Sequence, residues 1–342
     1  MMGPMDLERA IDAAFAPAQA AVEGGRIPAA VLGVVAADGD AEVRWTGHAA
    51  LVPERERVAR ETVFDLASLT KVLFTTTTVL RLVDEGRIAL DDPLVKAIPD
   101  LRQYDVEGAA ERKLTFRQCL AHATHLPAVE PIYTYGDDPE RLKAFVLQRE
   151  WRAGPSVYSD INFILLGIAI ERLTGQKLRD LHLPHGLTFR PDPALCAATE
   201  ACTWRGRVMR GEVHDENAFS LGGASGHAGL FGTIDGVLGF ARDVIEGRTL
   251  SAAGLAAIRT RVHGERTVGW QIAHAGWSGG DACSRETIGH TGFTGTGLWL
   301  DFARGLAWAL LTNRVHPSRH ADTGIAELRR ATGDRLAAAL AV

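Results

Sequence analysis

FDLASLTK, residues 64–71, passes from a short strand-like run into a helix that begins at Ser68. Lys71 follows three residues later, so the hydroxyl and the amine project from the same side of the first turn. A serine hydroxyl is a weak nucleophile at neutral pH and needs a base within hydrogen-bond reach; a lysine can serve if burial lowers its pKa. The helix start adds free backbone N–H groups and the positive end of a helix dipole, which suit an anionic intermediate. Taken alone, the same spacing is an ordinary helix start, because serine is a favoured N-cap and lysine a common helical residue.

Downstream, Leu69, Val72, Leu73, Val79, Leu80 and Val83 share one face, which predicts a helix over 69–85 closed by Gly86. Upstream, Leu7, Ile11, Phe15, Ala18 and Val22 predict an amphipathic helix over 6–23, kinked at Pro17 and ended by Gly24-Gly25. Two β-rich runs around Asp38-Gly39-Asp40 predict a hairpin at 29–37 and 41–48. From about 90 to 245 the pattern is helix and loop with few strand signals. Within it INFILLGIAIERLT, residues 161–174, is apolar nearly all round and reads as a central helix. Strands return at 267–274, 286–292, 296–302 and 305–312. A last helix is expected over 322–340, with Asp322 as N-cap and Ile325, Leu328, Leu336 and Leu340 inward. This order implies an α/β (α+β) unit spanning 1–342. The hairpin and the later strands share one antiparallel sheet flanked by helices, in a lobe built from about 1–90 and 246–342. Residues from about 91 to 245 form a mostly helical lobe.

Two further segments carry chemistry-bearing residues. Tyr158-Ser159-Asp160, in GPSVYSDINFILLG (154–167), precedes the apolar helix. A phenol held near a cationic lysine ionises more easily and can relay protons. His290-Thr291-Gly292, in TIGHTGFTGTGLWL (287–300), ends one strand before a glycine-rich turn, and small residues on an edge strand let a substrate backbone come close. Separately, the first reads as a capping loop and the second as a hairpin.

Together, in this order and at this separation, the three segments resemble the signature of the penicillin-recognising serine hydrolases. The chain is most similar to the class C β-lactamase-like family, with its D-alanyl-D-alanine carboxypeptidase, D-aminopeptidase and esterase members. LDDPL (90–94), CLAHATHLP (119–127) and GEVHDENAFSLGGASGHAGLF (211–231) extend the resemblance, which covers roughly 25 to 315. It implies a β-lactamase/transpeptidase-like fold and a serine hydrolase acting through a Ser68 acyl-enzyme. Lys71 would accept the serine proton and Tyr158 would shuttle protons to the leaving group. The N–H groups of Ser68 and Phe293 would form an oxyanion hole. Asp160, His290, Thr291 and Gly292 would contact substrate. Two departures bear on the substrate. His290 stands where classical β-lactamases have lysine, and neutral imidazole is the weaker carboxylate anchor. Asp160 replaces asparagine, and an ionised Asp cannot donate to an amide carbonyl. Both favour an esterase or peptidase over an efficient β-lactamase. His125 also replaces a glycine of the "HTSGLP" segment. The fold equally serves silent members that bind peptides or muropeptides as sensors, but Ser68, Lys71 and Tyr158 are all present.

The bulk composition agrees with a globular enzyme. The 342 residues are 46% hydrophobic and 23% charged with a formal net charge of −5, which offers nothing to a nucleic acid. Neither a secretory leader nor a membrane span is expected. Cys119, Cys196, Cys202 and Cys283 form no CxxC pair and read as reduced thiols of a cytoplasmic protein. His182 and His185 flank Pro184, no carboxylate has a zincin spacing, and no metal or other cofactor is expected. GGASGHAG lacks the Gly-Lys-Ser/Thr ending of a phosphate loop. His227 reads as a structural turn residue, and His122 as bonded to backbone within its own loop. Trp45, Trp151, Trp204, Trp270, Trp277, Trp299 and Trp308 are expected in the core or the site walls. The expected partner is a small ester, amide or peptide. Its selection falls to the loops at about 125–160 and 176–220.

Overall fold

The structure, a computed structural model, describes residues 6–341. Its strands, in chain order, are β1 (Ala29–Ala36), β2 (Ala41–Ala50), β3 (Glu56–Arg57), β4 (Phe64–Asp65), β5 (Leu187–Thr188), β6 (Ala198–Cys202), β7 (Arg207–Arg210), β8 (Phe231–Gly232), β9 (Gln271–Ile272), β10 (Thr287–Thr291), β11 (Gly297–Asp301) and β12 (Leu306–Thr312). The α-helices are α1 (Leu7–Glu23), α2 (Thr77–Asp84), α3 (Phe116–Leu120), α4 (Pro139–Gln148), α5 (Asp160–Thr174), α6 (Glu216–Ser220), α7 (Ile234–Ile245), α8 (Ala252–Arg259) and α9 (Ile325–Ala339).

The hairpin pairs with the later strands, as expected. One antiparallel sheet runs β3-β2-β1-β12-β11-β10-β9, with Leu32 opposite Leu310 where the two halves of the chain meet. Alternation along β1 and β12 sorts the core onto two faces. Ala30, Leu32, Val34, Trp308 and Leu310 face α1 and α9, while Val31, Val35, Ala307, Ala309 and Leu311 join the core that includes α7 and α5. Both faces are covered, so β1 reads as a continuous apolar run. Gly33 sits under α7, where a Cβ would lie 2.6 Å from Leu238 Cδ1 and 2.8 Å from Ile234 Cγ1. The sheet side therefore takes in α7, ahead of the boundary drawn near 246.

Several elements differ from expectation. The helix after Ser68 is a short 3₁₀ turn (Ala67–Leu69), then a π-helical stretch (Lys71–Thr76), then α2. Thr76 Oγ1 donates to the Lys71 carbonyl at 2.7 Å and Thr77 Oγ1 to the Val72 carbonyl at 3.0 Å, five residues back in each case, which suits a widened turn. Periodicity alone cannot show such back-bonding. The run 267–274 keeps only β9 in the sheet, because Thr267 N–H donates to the Trp270 carbonyl at 2.9 Å in a turn instead. Asp322 is not the cap of the last helix; it accepts from Gly324 N–H, and Gly324 in the left-handed region starts α9. The middle of the chain holds two small sheets, β4-β8-β5 and β6-β7, whose strands are too short to give a periodic signal. Trp45 and Trp204 are about half exposed rather than in the core or the site walls. Among the described residues no helix is long and apolar enough to cross a membrane.

Gly33→Val should lower the urea midpoint by an amount equivalent to about 1–3 kcal/mol, because the added carbons force α7 off the sheet. Equilibrium unfolding followed by circular dichroism checks this.

Candidate active site

Ser68 sits on a strained turn. Ala67 holds a φ of 47°, a left-handed conformation uncommon outside glycine. Four hydrogen bonds fix the turn. The buried Asp65 carboxylate accepts from Ala67 N–H at 2.8 Å and, across the chain, from His214 N–H at 2.7 Å. Thr70 Oγ1 donates to the Ala67 carbonyl at 2.7 Å, and Thr296 Oγ1 to the Leu66 carbonyl at 3.1 Å. Burial pushes the Asp65 carboxyl up to about 6, against the pull of its two N–H donors.

Lys71 is fully buried beneath Ser68. Its ammonium donates to Ser68 Oγ at 2.9 Å and to the His227 carbonyl at 3.1 Å, and lies 2.8 Å from Asp160 Oδ1. The sequence reading needed burial to lower this lysine. Burial does pull its pKa down, but Asp160 and Tyr158 outweigh that and the net shift is upward. Asp160, expected to face substrate, borders the cavity yet is the counter-ion of Lys71. Tyr158 lies alongside, its ring centroid 5.0 Å from Lys71 Nζ.

Two imidazoles flank Tyr158. The His122 ring lies 4.4 Å from it and the His290 ring 5.9 Å. His122 does not bond within its own loop; its Nδ1 accepts from Ser159 N–H at 3.0 Å, across to the tyrosine segment, which leaves the proton on Nε2. His290 Nδ1 faces the Thr291 carbonyl at 3.0 Å and must donate to it, which leaves a bare lone pair on a buried Nε2. Burial, with Arg266 and Lys71 nearby, holds both rings well below the ordinary histidine range. His290 is therefore a neutral acceptor and no cationic anchor.

The end of β10 lies against the Ser68 turn. A Cβ on Gly292 would stand 2.6 Å from the Leu66 carbonyl oxygen and 3.3 Å from Ala67 Cβ, so only glycine permits the approach. Buried Arg329, on α9, donates to the carbonyls of Gly292 and Thr296, each at 2.7 Å. The N–H groups of Ser68 and Phe293 find no acceptor among the described residues and flank this junction. His227, read as a turn residue, joins the site through its carbonyl. Its Nε2 also donates to Asp215 Oδ1 at 2.8 Å. Burial raises Asp215, but His227 and the Ala218 N–H outweigh it and hold the carboxyl well below its usual range. One ligand-type atom from each of Asp160, Asp215 and His227 lies within 4.8 Å of the others, and the Lys71 ammonium already supplies the positive charge there.

The model of the family described as Beta-lactamase matches residues 11–332. The chain belongs to the Beta-lactamase family. Its members are serine hydrolases, and a sensor without activity is the less favoured reading. An Escherichia coli K12 protein provisionally named a D-alanyl-D-alanine carboxypeptidase is 29% identical over 316 residues, covering 78% of this chain and 72% of its own. An N-acetylmuramyl-L-alanine amidase of Bacillus subtilis is 29% identical over 310 residues, covering 76% and 70%. The class C β-lactamase of Rhodobacter sphaeroides shares the fold with a TM-score of 0.70 at 19% identity, over 95% of this chain and 98% of that one.

In this Beta-lactamase-family chain Ser68, Tyr158, Asp160, His290, Thr291, Gly292 and Phe293 border one cavity of about 530 Å³. Sequence reasoning missed Asp65, although it lies within FDLASLTK, because nothing local shows that its partner is His214. It also missed Asp215 and the arginines of the wall. Arg266 stacks on Tyr158 at 5.1 Å and has neither a carboxylate nor a side-chain hydrogen bond among the described residues. Among the described residues the Arg314 guanidinium donates to the Phe293 carbonyl alone, at 2.9 Å. Burial lowers Arg266, and lowers Arg329 to about 9 with Arg314 adding to the shift.

Because folded Asp65 ionises near 6 and an unfolded one near 3.8, its ionisation costs the folded state more as pH rises between those values. Asp65→Asn should therefore gain on wild type by up to about 3 kcal/mol between pH 4 and pH 7, read by urea unfolding at both. A pH-independent difference would show that the carboxyl ionises as it does in the unfolded chain.

Proposed function

We propose that Ser68 is the nucleophile of an acyl-transfer reaction to water. The supporting observation is the 2.9 Å contact between its Oγ and a lysine that has no exposure of its own. The raised pKa makes Lys71 an ammonium at rest, so it cannot simply take the serine proton. The proton moves by relay instead. As Ser68 Oγ attacks the carbonyl carbon, its proton passes to Lys71 while Lys71 gives one to the Asp160 carboxylate. The N–H groups of Ser68 and Phe293 hold the oxyanion, and the tetrahedral adduct collapses as the relayed proton reaches the leaving amine or alkoxide through Tyr158. Water then attacks the Ser68 ester by the same route in reverse.

The substrate side of this reading rests on the arginines. Guanidinium groups without carboxylates in a cavity wall favour an anionic ligand, and Arg266 and Arg314 lie on the wall shared with His290 and Phe293. A peptide or amide carrying a carboxylate beside the scissile bond fits better than a neutral ester, in line with the peptide-directed names of the relatives. Thr291 and neutral His290 would accept or donate single hydrogen bonds to its backbone. A reduced, cytoplasmic setting belongs to the same reading, since all four cysteines are unpaired.

A fluorophosphonate or fluorescent penicillin should label wild type and fail on Ser68→Ala; equal labelling would remove Ser68 as nucleophile. Asp160→Asn should cut kcat at least tenfold and shift the alkaline limb of its pH profile downward, since Lys71 loses the partner that holds its proton. Arg266→Ala should lower kcat/KM about tenfold to a hundredfold for a carboxylate-bearing peptide and far less for an uncharged p-nitrophenyl ester. Equal losses on both would place the arginine's role in the fold.

A further inference from the structure

A second recess is bordered by the end of α6, whose first residue borders the Ser68 cavity. Its walls are the rings of Tyr133, Trp204 and Phe219, with Pro139, Thr134 and Asp137 at the edge, and it encloses about 590 Å³. Trp204 is 51% exposed. Its ring lies 4.9 Å from Tyr133 at an interplanar angle of 58°, so the two make an open corner and not a closed stack. Trp204 stands at the tip of the β6–β7 hairpin, where a flexible polar residue would serve a bare turn equally well.

The corner is built from beneath. The Arg205 side chain is 2% exposed and its guanidinium lies 4.1 Å from the Phe219 ring centroid and 5.4 Å from that of Trp204. The same guanidinium donates to the Val213 carbonyl at 2.6 Å and the His214 carbonyl at 3.2 Å. One buried cation thus ties the aromatic corner to the segment whose His214 N–H is held by Asp65 and whose Asp215 borders the Ser68 cavity. Asn217 on α6 bonds to the Glu130 carbonyl at 2.8 Å and accepts from Tyr133 N–H at 3.2 Å, fixing the opposite wall to the same short helix.

The recess and the cavity are close. Glu216 borders the cavity and Phe219 the recess, one turn of α6 apart, or about 5 Å of rise. On the neighbouring segment Val129 borders the cavity and Tyr133 the recess.

We propose that this recess is a saccharide subsite, holding the pyranose ring of a sugar joined to the peptide that Ser68 attacks. The assignment rests on the peptide-hydrolase reading of the Ser68 site and extends it. Flat, half-exposed aromatic faces match the apolar C–H face of a pyranose. The Asp137 carboxylate and Thr134 hydroxyl at the rim can accept from its hydroxyls. Among the described residues no lysine or arginine borders the recess, which disfavours a phosphate or a second carboxylate there. A purely hydrocarbon ligand would leave the rim polar groups facing carbon. A ligand that spans the length of this short helix would put its sugar in the corner and its first amide bonds at Ser68.

The test uses the full chain carrying Ser68→Ala, so that ligand survives, with muramyl dipeptide as probe and L-alanyl-D-isoglutamine as its sugar-free control. Saturation-transfer NMR should show transfer to the pyranose protons. Adding Trp204→Ala should abolish it, and Trp204→Phe should keep most of it, which separates a lost ring from a lost fold. In protein with Ser68 intact, Trp204→Ala should lower the ratio of kcat/KM for a glycan-bearing over a glycan-free peptide about tenfold. Unchanged transfer in Trp204→Ala would overturn the subsite. So would absence of transfer in the Ser68→Ala protein, including the case in which Trp204→Ala instead dissolves a dimer. If the pyranose binds as expected but no peptide is ever cleaved, the subsite stands and the hydrolase reading of Ser68 fails.

Discussion

A lysine ammonium with no solvent of its own is the constraint around which this molecule is arranged. Removing Lys71 from water costs several kcal/mol unless an anion and good acceptors replace the hydration. The chain supplies them from three distant places: Ser68 from its own turn, the carbonyl of His227 from the glycine-rich loop, and Asp160 from the first turn of α5. The central apolar helix thus delivers a counter-charge at its N-terminus, and the acid is there because the base is buried. An asparagine in that place would donate to a carbonyl but could not neutralise the ammonium. The change from amide to carboxylate therefore alters the resting charge state of the whole site as well as one contact to substrate.

Around that charge pair the framework is rigid. A left-handed alanine before Ser68 is tolerated because a buried carboxylate, two threonine hydroxyls and the end of β10 over-determine it. The turn fixed in this way presents Ser68 to the cavity. The arginine wall has a different character. Arg266 rests on a tyrosine face with no polar partner for its guanidinium among the described residues, so it can adjust to a ligand without breaking a bond.

The fold was largely legible because its signals are periodic. The sheet halves, the first and last helices and the apolar helix at 160–174 all appear where alternation or helical spacing placed them. What escaped was non-periodic. The π-helical stretch depends on threonine hydroxyls reaching back five residues. The left-handed start of α9 depends on Gly324 rather than on the better-looking cap at Asp322. In the site, Ser68, Lys71, Tyr158 and the β10 edge come together as their motifs implied. The direction of the lysine's pKa did not follow, because burial was visible in the motif and the opposing charge was not. Asp65, Asp215, Arg266 and Arg205 act only through partners far along the chain, and one sequence carries no record of such pairings.

The grip of Arg329 on Gly292 and Thr296 bears on when the pocket first exists. The Ser68 turn is made long before β10, and the end of β10 is clamped by α9, which follows it in the chain. A ribosome must therefore have passed α9 before Gly292 can be held against the Ser68 turn. Until then the growing chain carries Ser68 and Lys71 with no completed pocket around them. The cavity is among the last features of this fold to be finished.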